Sequence, residues 1–428
     1  MKSWPLESLA NFNEWTSAFF YGTDIVMLLL FALWALRVKW NFKFSVSNVF
    51  LFVFLLIASL SLIVAENKFL GLFRLVKLVE FTTLFLYLKS ALGKIFNFSN
   101  IFTAIFFSGL FQAFIAITQA LSQRSLGLKW LGESVLSTNF NGVAVVATEG
   151  GKFLRSYGTF PHPNVFAAWL FISIFAFYFW YLLSPPRNRP SLRRGSEKGH
   201  WIALIAYAFL LVGFLFSFSR VAIGLWIVGL AAGPLWVLLK RKKYKLESVF
   251  KKRMTNLLAV SSMIVVIFSF FYWPQVESRF NLSTDNPAIS ERIFYNKIAS
   301  DTMLSRSILG LGVGQFVWSA FADLKLNENY LYQPVHNIYL LVASENGIIG
   351  IAVFLTFIFA VFADYIKKTG LATLRNLYFM IVAVSILSMG LFDHFLWTIQ
   401  QGQIILWSML ALLVNLADRQ QSNYGKLF

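Results

Sequence analysis

The chain has 428 residues, 58% of them hydrophobic and only 13% charged, about half the charged share of an ordinary soluble domain. With 48 phenylalanines and a mean hydropathy of +0.66, too little polar surface remains to clothe a water-soluble globule, so a soluble enzyme or binding module is excluded. The net charge of +18 would suggest nucleic acid in a soluble protein. In a membrane protein it follows from Lys/Arg-rich cytoplasmic loops, and no nucleic-acid partner is expected. The chain has no cysteine and four dispersed histidines, which excludes disulfides and thiolate chemistry and argues against a zinc centre. Residues 1–16 hold one Lys and no apolar core, so no cleavable signal peptide is expected.

In chain order, long apolar runs fall near 17–36, 48–65, 69–88, 100–121, 164–183, 201–218, 219–239, 254–273, 347–366, 376–392 and 396–416. Each reaches or nearly reaches bilayer thickness without strand-like alternation, which predicts an all-α polytopic membrane protein of about eleven (11–12) transmembrane helices. The third run carries Arg74, Lys77 and Glu80, with Lys77 and Glu80 spaced for an ion pair at i, i+3. Alternate loops are unequal in charge. One set (37–47, 89–99, 184–200, 240–253, 367–375, 417–428) holds 23 Lys/Arg, and the other (1–16, 66–69, 122–163, 274–346) holds 11 although it is longer. The basic set is therefore predicted to be cytoplasmic. The other side then carries two long polar loops, 122–163 and 274–346, where a site is expected.

Three segments stand out against this apolar background. The first is RSYGTFPHPNVF from Arg155. Its prolines Pro161 and Pro163 enforce an extended lead into the fifth span, and Asn164 is placed to cap that helix. Arg155, with no acidic neighbour in sequence, suits an anionic ligand. The second is FSFSRVAIG, which sets Arg220 beside Ser217 and Ser219 at the external end of a span. Snorkelling to headgroups is the plain alternative; the planar fork of Arg is well suited to phosphate. The third is QPVHNIYLLVASENGIIG, in which His336 and Asn337 open a short apolar helix and Gly347 and Gly350 open the next span. Spacing puts His336, Tyr339 and Leu340 on one face. Upstream lie Arg292 and a glycine-rich turn at Gly310, Gly312 and Gly314, which lacks the Gly-Lys-Ser/Thr end of a nucleotide loop.

These residues together resemble the O-antigen ligase and polymerase superfamily of bacterial envelope enzymes. His336-Asn337, nine residues, Gly347, two residues and Gly350 match its C-terminal signature. The Arg155-to-Asn164 stretch is similar to its Arg-x-x-Gly-Thr-Phe-x-x-Pro-Asn element, and Ser217-x-Ser219-Arg220 to its Ser-x-Ser-Arg element. The resemblance covers roughly residues 150–390. It divides the chain into an N-terminal membrane region with the start of the first external loop (1–150), a ligase-like catalytic region (151–392), and a last span with a cytoplasmic tail (393–428).

What the resemblance implies is a GT-C-type bundle with two long external loops. It would act as a metal-independent, cofactor-free inverting glycosyltransferase of the bacterial cytoplasmic membrane, with its active site facing outside, in lipopolysaccharide or related envelope polysaccharide synthesis. It would move a glycan from undecaprenyl pyrophosphate to a hydroxyl of a lipid or glycan acceptor. His336 would be the general base. Arg155, Arg220 and Arg292 would hold the pyrophosphate, supported by Asn337, Asn164, Ser219, Gly347 and Gly350, with no metal ligands. A polymerase of the same superfamily is the nearest alternative. A lipid-linked glycan flippase or exporter is more distant, because it would line its path with charge, and Arg74, Lys77 and Glu80 form the only intramembrane cluster.

Overall fold

A computed structural model describes residues 2–4, 13–37, 45–92, 95, 98–183, 197–240, 248–280, 287–323 and 331–424. The basic stretches 187–196 and 241–247, with parts of the loops at 37–47 and 274–346, lie outside the described residues. The chain begins with a short antiparallel pair, β1 (Lys2–Trp4) with β2 (Ala18–Phe20), in which Ser3 faces Phe19. Four helices follow: α1 (Gly22–Arg37), α2 (Val46–Ser61), α3 (Lys68–Ala91) and α4 (Phe98–Ser122). A hairpin, β3 (Val145–Thr148) and β4 (Gly151–Leu154), then leads to α5 (Pro163–Tyr178), which continues as a π-helical turn to Leu183. Next come α6 (Glu197–Leu215), α7 (Arg220–Lys240), α8 (Ser248–Phe271), α9 (Trp273–Phe280), α10 (Pro287–Ser305) and α11 (Phe316–Asp323). The last are α12 (Ile338–Thr369), α13 (Leu374–Met389), α14 (Phe395–Thr398) and α15 (Gln400–Tyr424).

Every apolar run of the sequence forms a helix, and the protein is an all-α polytopic membrane protein. The expected number of spans is not reproduced by helix length and apolarity. Among the described residues six helices are long and apolar enough to cross: Phe98–Ser122, Pro163–Leu183, Arg220–Leu239, Val249–Phe271, Ile338–Thr369 and Gln400–Gln420. Three shorter apolar helices are Val46–Ser61, Gly199–Leu215 and Leu374–Met389. The first run gives up its opening residues to β2, and the third is diluted by its charges.

The chain forms two compact units that interleave along the sequence. One comprises Met1–Leu92, Thr284–Gly370 and Gly390–Phe428; the other comprises Gly93–Ser283 and Leu371–Met389. In the first, α2, α3, α12 and α15 pack through aromatic contacts. The ring of Phe54 lies 5.2 Å from that of Phe354, and Phe85 lies 5.6 Å from Phe357 and 6.3 Å from Trp407. Lys77 sits inside this unit between Asp24 (2.6 Å) and Glu80 (3.0 Å), and Gln400 binds both Lys77 (3.2 Å) and Asp24 (2.5 Å). Lys77 and Glu80 are thus part of a paired network joining α1, α3 and α15, as a buried charge requires, while Arg74 donates to the Trp15 carbonyl (2.8 Å).

In the second unit α5 is the central helix. Its span is 83% buried, against 22% for α7 and for α8. Small residues let its neighbours approach. A Cβ on Gly109 of α4 would lie 2.5 Å from that of Ser173 on α5, and one on Gly213 of α6 would lie 2.6 Å from that of Ala113 on α4. Tyr178 of α5 bonds Tyr207 of α6 (3.1 Å) and accepts from the Trp226 indole of α7 (3.0 Å). Tyr207 in turn bonds Ser261 of α8 (2.7 Å), so four helices share one buried polar chain.

Candidate functional site

In the second unit, the loop from Arg155 to Pro163 is held by two glutamines of α4. Gln119 accepts the amides of Tyr157 (3.0 Å) and Gly158 (2.9 Å), and Gln112 accepts that of Thr159 (2.9 Å). Gly158 has a φ of 59°, and a Cβ there would stand 2.5 Å from the Gln112 amide oxygen, so this turn requires glycine. The loop also captures the C-terminal end of α6, as Ser156 N–H donates to the Phe216 carbonyl (3.0 Å) and Arg155 Nε donates to that of Ser217 (2.8 Å). Phe218 then takes a left-handed φ of 46°, and α7 begins at Arg220 with Ser219 N–H on the Ser217 hydroxyl (3.3 Å). Arg155, Ser217, Ser219 and Arg220 are therefore brought together.

Two details differ from the sequence reading. The cap of α5 is His162, whose Nδ1 accepts the Asn164 amide (3.2 Å), with Pro163 at the first helical position. Asn164 is two positions past the cap, and its side-chain oxygen accepts from Arg155 (2.7 Å) instead. The Arg155 guanidinium, 7% exposed as a residue, is a structural tie as well as a cation. Arg220 is half-buried at the first turn of α7. There the positive end of the helix dipole adds to its own charge and makes the position favourable to an anion.

In the first unit, Asn337 caps α12 by accepting the amides of Tyr339 (2.9 Å) and Leu340 (3.2 Å). His336 therefore precedes the cap and does not share a helical face with those two residues. The Ile338 amide donates to the Gly390 carbonyl (2.8 Å), which ties this start to the segment that leads into α14. The His336 ring meets that of His394 edge to face at 5.0 Å, and His394 meets Trp15 at 4.8 Å and bonds Thr398 (2.7 Å). The Nδ1 of His336 and the Nε of Arg292 on α10 are buried without a hydrogen-bond partner among the described residues. Burial, and after it the charge of Arg292, hold the His336 pKa below the usual 6.5, while Asp393 pulls it upward. The ring is thus kept neutral near pH 7 and able to accept a proton.

Gly347 and Gly350 do different work. At Gly347 (φ 71°) α12 breaks, and a Cβ there would overlap the Ile308 carbonyl. The break releases two carbonyls that the glycine-rich turn takes up: Leu311 N–H donates to Ser344 and Gly312 N–H to Glu345, both at 2.9 Å. Gly310 lies so close that a Cβ would stand 2.5 Å from the Ser344 oxygen. The turn is fixed further by Val313 N–H on the Ser61 hydroxyl (3.0 Å) and by a reciprocal pair between Gln315 and the Asn67 backbone (2.8 and 3.1 Å). At Gly350 a Cβ would stand 2.5 Å from that of Asn346, one turn earlier, and only in ordinary contact with Ile57 of α2 at 3.6 Å.

The sequence reading missed Gln112, Gln119, Asp393 and His394. The Asp-His pair between two apolar runs was a usable signal; the glutamines were hidden inside a span. Among the described residues no group of three or more His, Cys, Asp or Glu is placed to hold a metal ion.

This is a multi-pass helical membrane protein with basic and imidazole groups set at helix starts. Residues 205–355 match the family model described as O-antigen ligase. The match runs from within α6 into α12 and contains Ser219, Arg220, Arg292, His336, Asn337, Gly347 and Gly350; Arg155 and Asn164 lie before it. That match, over residues 205–355, supports the resemblance to the O-antigen ligase superfamily. Among curated proteins, none matches the chain significantly.

Proposed function

We propose that the protein transfers a glycan from undecaprenyl pyrophosphate to an acceptor hydroxyl on the external face of the bacterial cytoplasmic membrane, as a ligase of this superfamily. The observation that carries the reading is His336, a half-buried imidazole with its Nδ1 buried, a lowered pKa and Arg292 within electrostatic reach, at the capped start of α12 inside the matched domain. In the proposed reaction His336 takes the acceptor proton as the oxygen attacks the anomeric carbon. The carbon–oxygen bond to the pyrophosphate breaks on the opposite face, so configuration inverts. The pyrophosphate leaves with the electron pair, and arginines stabilise its growing charge in the place a divalent cation would take. The superfamily resemblance assigns Arg155, Arg220 and Arg292 to the pyrophosphate, and within the second unit Arg155 sets the turn that carries Arg220.

The test is transfer by the purified, membrane-reconstituted protein with a defined undecaprenyl-pyrophosphate glycan and lipid acceptors, with products resolved on and off the carrier. Product on the acceptor lipid, at full rate in chelator, is expected; growth of the chain on the carrier would make the protein a polymerase. Arg220→Lys keeps the charge but loses the bidentate fork, so it should impair transfer nearly as much as Arg220→Ala. Near-normal transfer by both variants would return Arg220 to a snorkelling role.

A further inference from the structure

After α4 the chain makes a tight turn at Lys129–Leu131 that closes through Gly132 at a φ of 88°. Trp130 at its tip is 101% exposed, and Leu131 and Val135 beside it are exposed as well. A mobile loop could fold such an indole away, but this turn is built to display it. The buried carboxylate of Glu133 accepts the amides of Leu126 (2.7 Å) and Leu128 (2.6 Å) and the side chain of Gln119 (2.8 Å), in the last turns of α4. The turn is thereby clamped onto the end of a membrane-spanning helix. On that helix Phe107, Phe111, Phe114 and Leu121 are exposed at spacings that put them on one face, the face left for lipid. Large apolar groups thus continue past the end of the span, with Lys129 next to the indole.

We propose that this turn is an interfacial anchor, with Trp130 and Leu131 seated at the lipid–water boundary at the C-terminal end of α4 and Lys129 among the headgroup phosphates. An indole has an apolar body and one N–H donor, the combination that favours this depth, and a lysine stem reaches from apolar surface to a charged head. The inference rests on α4 crossing the membrane and is independent of the transfer reaction.

Because the chain has no cysteine, single probes can be placed cleanly. Trp130→Cys and Leu131→Cys, each carrying an environment-sensitive fluorophore, would be compared with Glu149→Cys, an exposed position in the β3–β4 turn. The full chain would be reconstituted in phosphatidylethanolamine–phosphatidylglycerol vesicles. Positions 130 and 131 should be quenched several-fold more than 149 by nitroxide placed shallowly on the lipid chains, and shielded from aqueous iodide. The 131 probe leaves Trp130 in place, so loss of the indole cannot explain its result. Iodide quenching at 131 equal to that at 149 would overturn the anchor, and so would shielding from iodide without quenching by the lipid nitroxide.

Discussion

At the scale of single residues, the chemistry assigned to this protein depends on what surrounds His336. If it accepts the acceptor proton, His336→Ala should lower turnover by about 10²–10⁴-fold. His336→Gln should do the same, because an amide can replace a hydrogen bond but cannot take a proton; near-normal turnover in the Gln variant would remove His336 from the chemistry. The pH profile gives an independent check. Burial and Arg292 lower the His336 pKa and Asp393 raises it, so turnover should fall with acid around a midpoint below 6.5. Asp393→Asn removes the upward pull and should move that midpoint lower still. Arg292→Gln removes a downward pull and should move it higher, whatever it does to the maximal rate. A midpoint indifferent to both substitutions would mean that another group titrates.

At the scale of elements, the break in α12 is the feature whose physics is most exposed. The carbonyls of Ser344 and Glu345 lose their helical partners at Gly347 and regain them from the 310–312 turn, so helix and turn are each incomplete without the other. Gly347→Ala forces a side chain into a left-handed conformation, at about 1–3 kcal/mol, and onto the Ile308 carbonyl. The reconstituted variant should therefore melt several degrees below wild type, which a thermal shift would show; an unchanged melting temperature would mean that the break is not needed. Gly350→Ala is expected to be milder, because the close approach there is to the side chain of Asn346, one turn away.

At the scale of the whole molecule, the division of Lys and Arg between alternate loops predicts orientation. Lys252→Cys, in the basic set, should react with a membrane-impermeant thiol reagent only after the cytoplasmic membrane is opened. Lys297→Cys, on α10 in the opposite set, should react from outside, and both positions are exposed. Reaction in the reverse pattern would place His336 and Arg292 on the cytoplasmic side and remove the proposed donor with them. The buried Asp24–Lys77–Glu80 network bears on the transporter alternative, since its charges are spent on one another.

By itself the sequence determined that this protein is helical and membrane-embedded, where its helices lie, and which residues carry the superfamily's motifs. Apolar runs of bilayer length have one stable backbone solution in lipid, and His-Asn followed by Gly-x-x-Gly is a local pattern. Tertiary structure alone decided what each residue does. Asn164 does not cap because His162 precedes it at the proline-started end of α5, and its amide goes to Arg155 instead. Gln112 and Gln119 look like dilutions of an apolar span until the loop they hold folds back on them. The partners of His336 are about fifty residues away along the chain on either side, at Arg292 and at Asp393 and His394. Hydropathy and spacing report the few neighbours along the chain; a pKa, a hydrogen-bond partner and a forbidden Cβ depend on neighbours that only packing supplies.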